Sequence, residues 1–132
     1  MTNEQLIAEA VEARKMAYTP YSHFQVGAAL ETADGIIYRG CNIENAAYGP
    51  SNCAERTAFF KAISEGERKF TRIAVVGGPE GQEISQFCAP CGVCRQVMSE
   101  FCDGDSFEIL LSDGKEIKIY KLKDILPLAF SL

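Results

Sequence analysis

No stretch of like charge in this sequence exceeds two residues, and no segment approaches the ~18 consecutive apolar residues that a membrane span requires. Basic residues are also in deficit. Lys and Arg number 13 against 18 Asp and Glu, for a net charge of −5. An acidic surface repels phosphate backbones and anionic lipid, which excludes general nucleic-acid or membrane binding and leaves room only for a local basic pocket. The opening Met1-Thr2-Asn3-Glu4-Gln5 lacks the basic start and apolar stretch of a secretory leader, so cytoplasmic residence is the expectation. Repeats, low-complexity tracts and a long Ser/Pro/Gly linker are missing too, and no domain boundary has an obvious place to fall. Residues 1–132 therefore read as a single domain.

What is present is enough to build a core. A chain of 132 residues, 47% of them hydrophobic, buries roughly two-thirds of its unfolded surface without staples. Six cysteines stand at positions 41, 53, 88, 91, 94 and 102. Without a secretory leader they point to metal binding or catalysis rather than to a disulfide framework.

Leu6, Ile7, Ala10, Val11, Ala13, Met16 and Ala17 recur at helical spacing. Glu4, Glu9, Glu12, Arg14 and Lys15 fill the other positions, which predicts a surface helix over residues 3–18 that Thr19-Pro20 closes. Residues 24–32 and 36–41, separated by Asp34-Gly35, predict an antiparallel pair. A buried helix is expected over 53–64, a strand over 72–76 ahead of Gly77-Gly78-Pro79, and a helix over 91–101 with Val93, Val97, Met98 and Phe101 inward. Strands over 107–111 and 116–120 and a short helix over 123–126 complete a layered α/β sandwich.

Cys91-Gly92-Val93-Cys94 opens a helix after Pro90, so both sulfurs sit in its first turn and can approach one ion together. By itself the motif leaves three readings open: a redox dithiol, half of a zinc site, or two small buried residues. Cys53-Ala54-Glu55 opens the other buried helix, where unpaired backbone N–H groups favour a thiolate. Three protein ligands and a vacant fourth position are what a catalytic zinc needs. Candidates to close that position are Cys41, Cys88, Cys102 and the lone His23, and no spacing singles one out; buried small hydrophobe is the ordinary role for the cysteines. Glu55 can lie beside the ion without binding it, as a general acid/base must. Arg56 is placed to donate to the sulfurs and offset the charge of three thiolates.

Taken together, Cys53-Ala54-Glu55 and, 38 residues after Cys53, Cys91-Gly92-Val93-Cys94 behind Pro90 resemble the zinc-dependent cytidine deaminases. The stretch from Pro20 to Ala29 (PYSHFQVGAA), that from Gly40 to Tyr48 (GCNIENAAY) and the terminal Leu126-Pro127-Leu128-Ala129-Phe130 are similar to the small homotetrameric type, so the likeness spans nearly the whole chain. The resemblance implies a three-layer α/β/α sandwich around a five-stranded mixed β-sheet. It further implies zinc on Cys53, Cys91 and Cys94, and Glu55 as proton shuttle between water, ring N3 and leaving amine. Asn42 and Glu44 would hydrogen-bond the ribose 3′-hydroxyl, Phe24 would contact the pyrimidine, and the Ala54 backbone would meet its polar edge. Ala47, Tyr48 and Phe130 would belong to sites completed across subunits of a homotetramer.

The implied activity is hydrolytic deamination of cytidine and 2′-deoxycytidine, with a free pyrimidine nucleoside as partner. This chain departs from the commoner pattern in Ala89 where Ser usually precedes the proline, in Ser51-Asn52 ahead of Cys53, and in a longer segment over 77–86. Other readings are a deaminase of a cytosine-containing antibiotic nucleoside, a zinc-stabilised scaffold with a closed four-ligand site, and a redox dithiol. Polynucleotide deaminases usually have His as first ligand and need a basic track, against Cys53 and the acidic balance here.

Overall fold

A computed structural model describes residues 1–132. Nine elements follow one another: α1 (Asn3–Arg14), β1 (Phe24–Thr32), β2 (Ile37–Cys41), α2 (Ala54–Ser64), β3 (Phe70–Pro79), α3 (Gly92–Phe101), β4 (Glu108–Ser112), β5 (Ile117–Lys121) and the single turn α4 (Leu122–Ile125). The strands form one five-stranded sheet in the order β2-β1-β3-β4-β5, with β3 and β4 parallel and the other pairs antiparallel. The parallel pair needs a crossover, which α3 supplies.

Helices cover both faces of the sheet, and each face has its own core. Leu6, Ile7 and Ala10 of α1 pack on Ala29, Ala74, Val76 and Leu110. On the other face Ala54, Ala58, Phe59 and Ala62 of α2 and Met98 of α3 pack on Ala28, Leu30, Ile73, Val75, Ile109 and Leu111. Alternate residues of each central strand serve opposite layers, as the pleat dictates. The architecture is the expected three-layer α/β/α sandwich.

Two glycines bring the helices close. A Cβ at Gly27 would land on the Ala10 carbonyl and 2.5 Å from the Arg14 nitrogen, so α1 lies directly on β1. One at Gly40 would land on the Ala54 carbonyl and 2.5 Å from the Ala58 nitrogen, so the first turns of α2 rest on bare β2 backbone. The sheet thereby fixes the depth of the helix end that carries Cys53 and Glu55.

Several expectations need correction. Helix α1 stops at Arg14 rather than Tyr18, because Lys15, Met16 and Ala17 donate to carbonyls three residues back in a tightened turn. Met16, expected inward, is 78% exposed. Arg14, expected on the solvent side, is 6% exposed. Strand β3 runs through Gly77-Gly78 to Pro79, since Phe24, Gln25 and Val26 of β1 pair with those residues and continue the ladder. Val93 is 58% exposed at the first turn of α3, and Cys94 takes the inward place instead. Other element ends fall within a residue or two of expectation.

Candidate active site

Helices α2 and α3 start at the same point. Cys53 is the N-cap of α2 and Cys91 the N-cap of α3, both with extended backbone. An N-cap stands at the open end of its helix, where the first backbone N–H groups lack partners. At α3 the Cys91 sulfur accepts from the Cys94 N–H at 3.4 Å. At α2 no side chain caps the helix, leaving the Cys53 sulfur free to turn toward its neighbours.

The sulfurs meet. Cys53 Sγ lies 3.6 Å from Cys91 Sγ, Cys91 Sγ lies 3.4 Å from Cys94 Sγ, and all three fall within 4.8 Å of one another. Three thiolates bound tetrahedrally at ~2.3 Å would stand roughly 3.8 Å apart, so the donor set fits zinc in both chemistry and size. A fourth cysteine or histidine does not join the group. Cys41 and Cys102 stay in their ordinary half-buried roles, with thiols that burial pushes up, that of Cys102 to about 12.

Charge is arranged to suit thiolate. The Cys53 thiol is drawn down to about 5, chiefly by a hydrogen bond from Cys94 and then by Arg56, against its own burial. Arg56 Nη2 donates to Cys53 Sγ at 3.2 Å, and its Nε is buried without a partner. The guanidinium thus stands against the sulfur cluster as a fixed positive charge, and contact with the thiolates raises its own pKa. Cys94, as the donor to Cys53, is shifted up.

Glu55 follows two residues after Cys53 in the first turn of α2 and is 3% exposed. Burial dominates its environment and raises its carboxyl above the usual range, helped by the negative charge at Cys53. Raising a carboxyl's proton affinity in this way makes it better able to hold and return a proton, which is what an acid/base catalyst does. Ala54, between Cys53 and Glu55, is fully buried.

The remaining predicted residues lie outside the sulfur cluster. Phe24 begins β1 and is 40% exposed. Asn42 is engaged within the chain: its Oδ1 accepts from the Val26 N–H at 2.9 Å and its Nδ2 donates to the Phe24 carbonyl at 2.9 Å. That carboxamide acts as a brace aligning Phe24. Glu44 accepts from the Tyr21 and Ser22 N–H groups, each at 3.1 Å, and from Ser22 Oγ at 2.5 Å, and these bonds lower its pKa. Ala47 lies in an exposed loop, Tyr48 is 93% exposed and Phe130 is 66% exposed.

Sequence reasoning missed Arg14. Its guanidinium donates to the carbonyls of Gln25, Gly78, Pro79 and Gln82 and clasps the end of β3 and the following loop onto α1. That loop leads to Cys91. The only available signal was the position itself, next in the apolar stripe after Ala10 and Ala13, which a charged residue occupied.

A model of the cytidine and deoxycytidylate deaminase zinc-binding region matches residues 1–107. The curated cytidine deaminase of Sporosarcina psychrophila is 54% identical over 132 residues, covering 99% of this chain and 93% of the relative. That of Halalkalibacterium halodurans is 50% identical over 131 residues, covering 99% and 96%. The crystal structure of cytidine deaminase from Burkholderia pseudomallei superposes with a TM-score of 0.89 at 48% identity, covering 98% of this chain and 100% of the other. Model match, sequence identity and superposed fold converge on one assignment: this chain belongs to the zinc-binding cytidine and deoxycytidylate deaminase family.

Proposed function

We propose that the protein hydrolyses cytidine and 2′-deoxycytidine to the uridine forms and ammonia, with residues 1–132 acting as one catalytic unit. The observation that carries this reading is the convergence of three sulfurs at the starts of α2 and α3 with the buried Glu55 beside them. Cys53, Cys91 and Cys94 would hold one zinc ion. Bound there, zinc supplies a Lewis acid that lowers the pKa of water toward neutrality and so provides a nucleophile.

The chain's own groups do the rest. Arg56 offsets part of the thiolate charge through its contact with Cys53. Glu55 takes the first proton of the attacking water and delivers it to ring N3, making C4 more electrophilic, then takes the remaining proton from the added hydroxyl and passes it to the 4-amino group, which leaves as ammonia while the C4 carbonyl forms. Its raised pKa suits it to both directions of transfer. Phe24 offers an apolar face to the pyrimidine and Ala54 its backbone groups to the polar edge. Asn42, while bracing Phe24, retains a second amide hydrogen and lone pair for the ribose 3′-hydroxyl, and Glu44 retains accepting capacity on its exposed carboxylate.

We further infer a homotetramer in which Tyr48 and Phe130 reach a neighbouring copy's site. Their large exposed rings, together with exposed Tyr21, Phe60 and Val93, support this. Six unpaired cysteines, three of them committed to metal, suit the reducing cytoplasm. No helix is long and apolar enough to cross a membrane.

The test follows cytidine turnover by ultraviolet absorbance and ammonia release. The parent enzyme turns over and Glu55→Gln loses about 10²–10⁴-fold in kcat while keeping its zinc. A Gln variant with parental kcat would refute the role of Glu55, and a zinc-loaded parent inert toward both nucleosides would refute the function.

A further inference from the structure

Cys88 lies three residues before the first ligand of α3 and outside the sulfur cluster. The segment that carries it is fixed in place: Gln86 bridges to Gly77 in antiparallel fashion beside the end of β3. Gly77 has no side chain, and a Cβ there would stand 2.8 Å from Cys88 Sγ and 3.0 Å from Phe24 Cε1. The thiol and the aromatic edge therefore both crowd the same position over bare backbone. Val26 pairs with Gly77 on the β1 side, so the same ladder that positions Phe24 positions this contact.

Cys88 is close enough to Glu55 and Cys53 for their negative charges to act on it; burial first, and those charges next, push it up to about 11. It remains a neutral, polarisable group at working pH, suited to an aromatic edge. Glu55 supplies the independent sign of a ligand on this side. Its side chain is 97% buried by its 3% exposure, and no cation pairs with it directly. It is the buried polar group on this side that an incoming pyrimidine would meet, and burial without a paired cation marks a functional position.

We propose that Cys88 and Phe24 together form one wall of the nucleoside pocket, and that the small volume of Cys88 sets how bulky a pyrimidine the site admits. This rests on the deaminase reading above. Cys88 touches the bound ring and takes no part in zinc binding.

The test uses the zinc-loaded enzyme and has two arms. In the first, iodoacetamide labelling of each cysteine is followed by mass spectrometry, with and without uridine at ten times its dissociation constant. Labelling is run at alkaline pH, where part of this raised thiol ionises; Cys88 labels slowly in the free enzyme and is slowed about tenfold further by the nucleoside, in step with occupancy, while Cys41 and Cys102 keep their rates. In the second, Cys88→Leu raises the KM for cytidine about tenfold or more, with kcat falling far less and zinc content unchanged. Cys88→Ser, of similar volume, restores KM to within about threefold of the parent.

A Cys88 that labels equally with and without bound uridine, or a Leu variant with parental KM, would each overturn the wall assignment while turnover persists. An enzyme that neither turns over cytidine nor binds uridine would instead overturn the function, and the wall assignment with it.

Discussion

The two faces of the sheet pack their helices in the same way and do different work. On each, a helix rests on a glycine, Gly27 under α1 and Gly40 under α2, so both layers sit at backbone contact. The difference is at the helix starts. Thr2 caps α1 with its hydroxyl, and Gln5 reaches back in a capping box, which satisfies the open N–H groups locally. At α2 and α3 the N-cap is a cysteine instead: the Cys91 sulfur caps α3, the Cys53 sulfur caps nothing, and the two starts are turned toward each other. A hydroxyl cap ends the local demand for charge, whereas a sulfur cap leaves a site for a cation between helices.

The sharpest way to break the comparison is to exchange the caps for alanine. Cys91→Ala removes one of three ligands, so zinc content falls toward zero and cytidine turnover by about a thousandfold or more, measured by metal analysis and initial rates. Thr2→Ala at the equivalent place on the other face costs only about 1 kcal/mol in urea unfolding and leaves kcat/KM unchanged. Equal loss of activity in the two variants would erase the distinction between the faces.

The glycine pair gives the next effect. Gly40→Ala forces α2 off β2 and carries Cys53 and Glu55 with it, so stability drops by about 1–3 kcal/mol and kcat falls with it. Gly27→Ala displaces α1, and an unfolding cost of the same size is expected with zinc affinity per folded molecule retained. Zinc titration of both variants under native conditions checks the split.

The smallest effect belongs to the α1 side and depends on pH. Glu31 and Arg72 form a largely buried pair at 2.7 Å, with Arg72 also bonded to Asn3 and the Met1 carbonyl. The Arg72 hydrogen bond, opposed by burial and supported by Thr71, holds the Glu31 carboxyl below its usual value. A depressed folded pKa gives stability that is present above the unfolded carboxylate pKa of about 4.3 and lost as pH falls through the folded value. Glu31→Gln should be less stable than the parent at pH 7, and the gap should close below pH ~4 in acid unfolding curves. A gap that persists in acid would remove the ion pair as its cause.

Legibility in the sequence followed the range of the interactions. Cys53, Glu55, Cys91 and Cys94 were readable because ligand and acid lie within a few residues on helix starts, where local geometry fixes direction. The strands and the turn at Gly35 were readable for the same local reason. Arg14 was not, since its partners Gly78 and Gln82 lie 64 and 68 residues away and are carbonyls, which every residue possesses. Cys88 carries no spacing signal, and only the bare backbone of Gly77 reveals what it meets. Asn42 was read for the sugar alone, while its brace to Phe24 and Val26 depends on strand register. Gly77-Gly78-Pro79 read as a breaker because its pairing partner, the start of β1, lies far off in sequence.

The central claim is that three sulfurs hold the ion and leave one position open to solvent. X-ray absorption at the zinc edge of the purified protein tests it directly. The account predicts three sulfurs at ~2.3 Å and one lighter oxygen ligand near 2.0 Å. Four sulfurs, with Cys88 or another thiol closing the sphere, would contradict it.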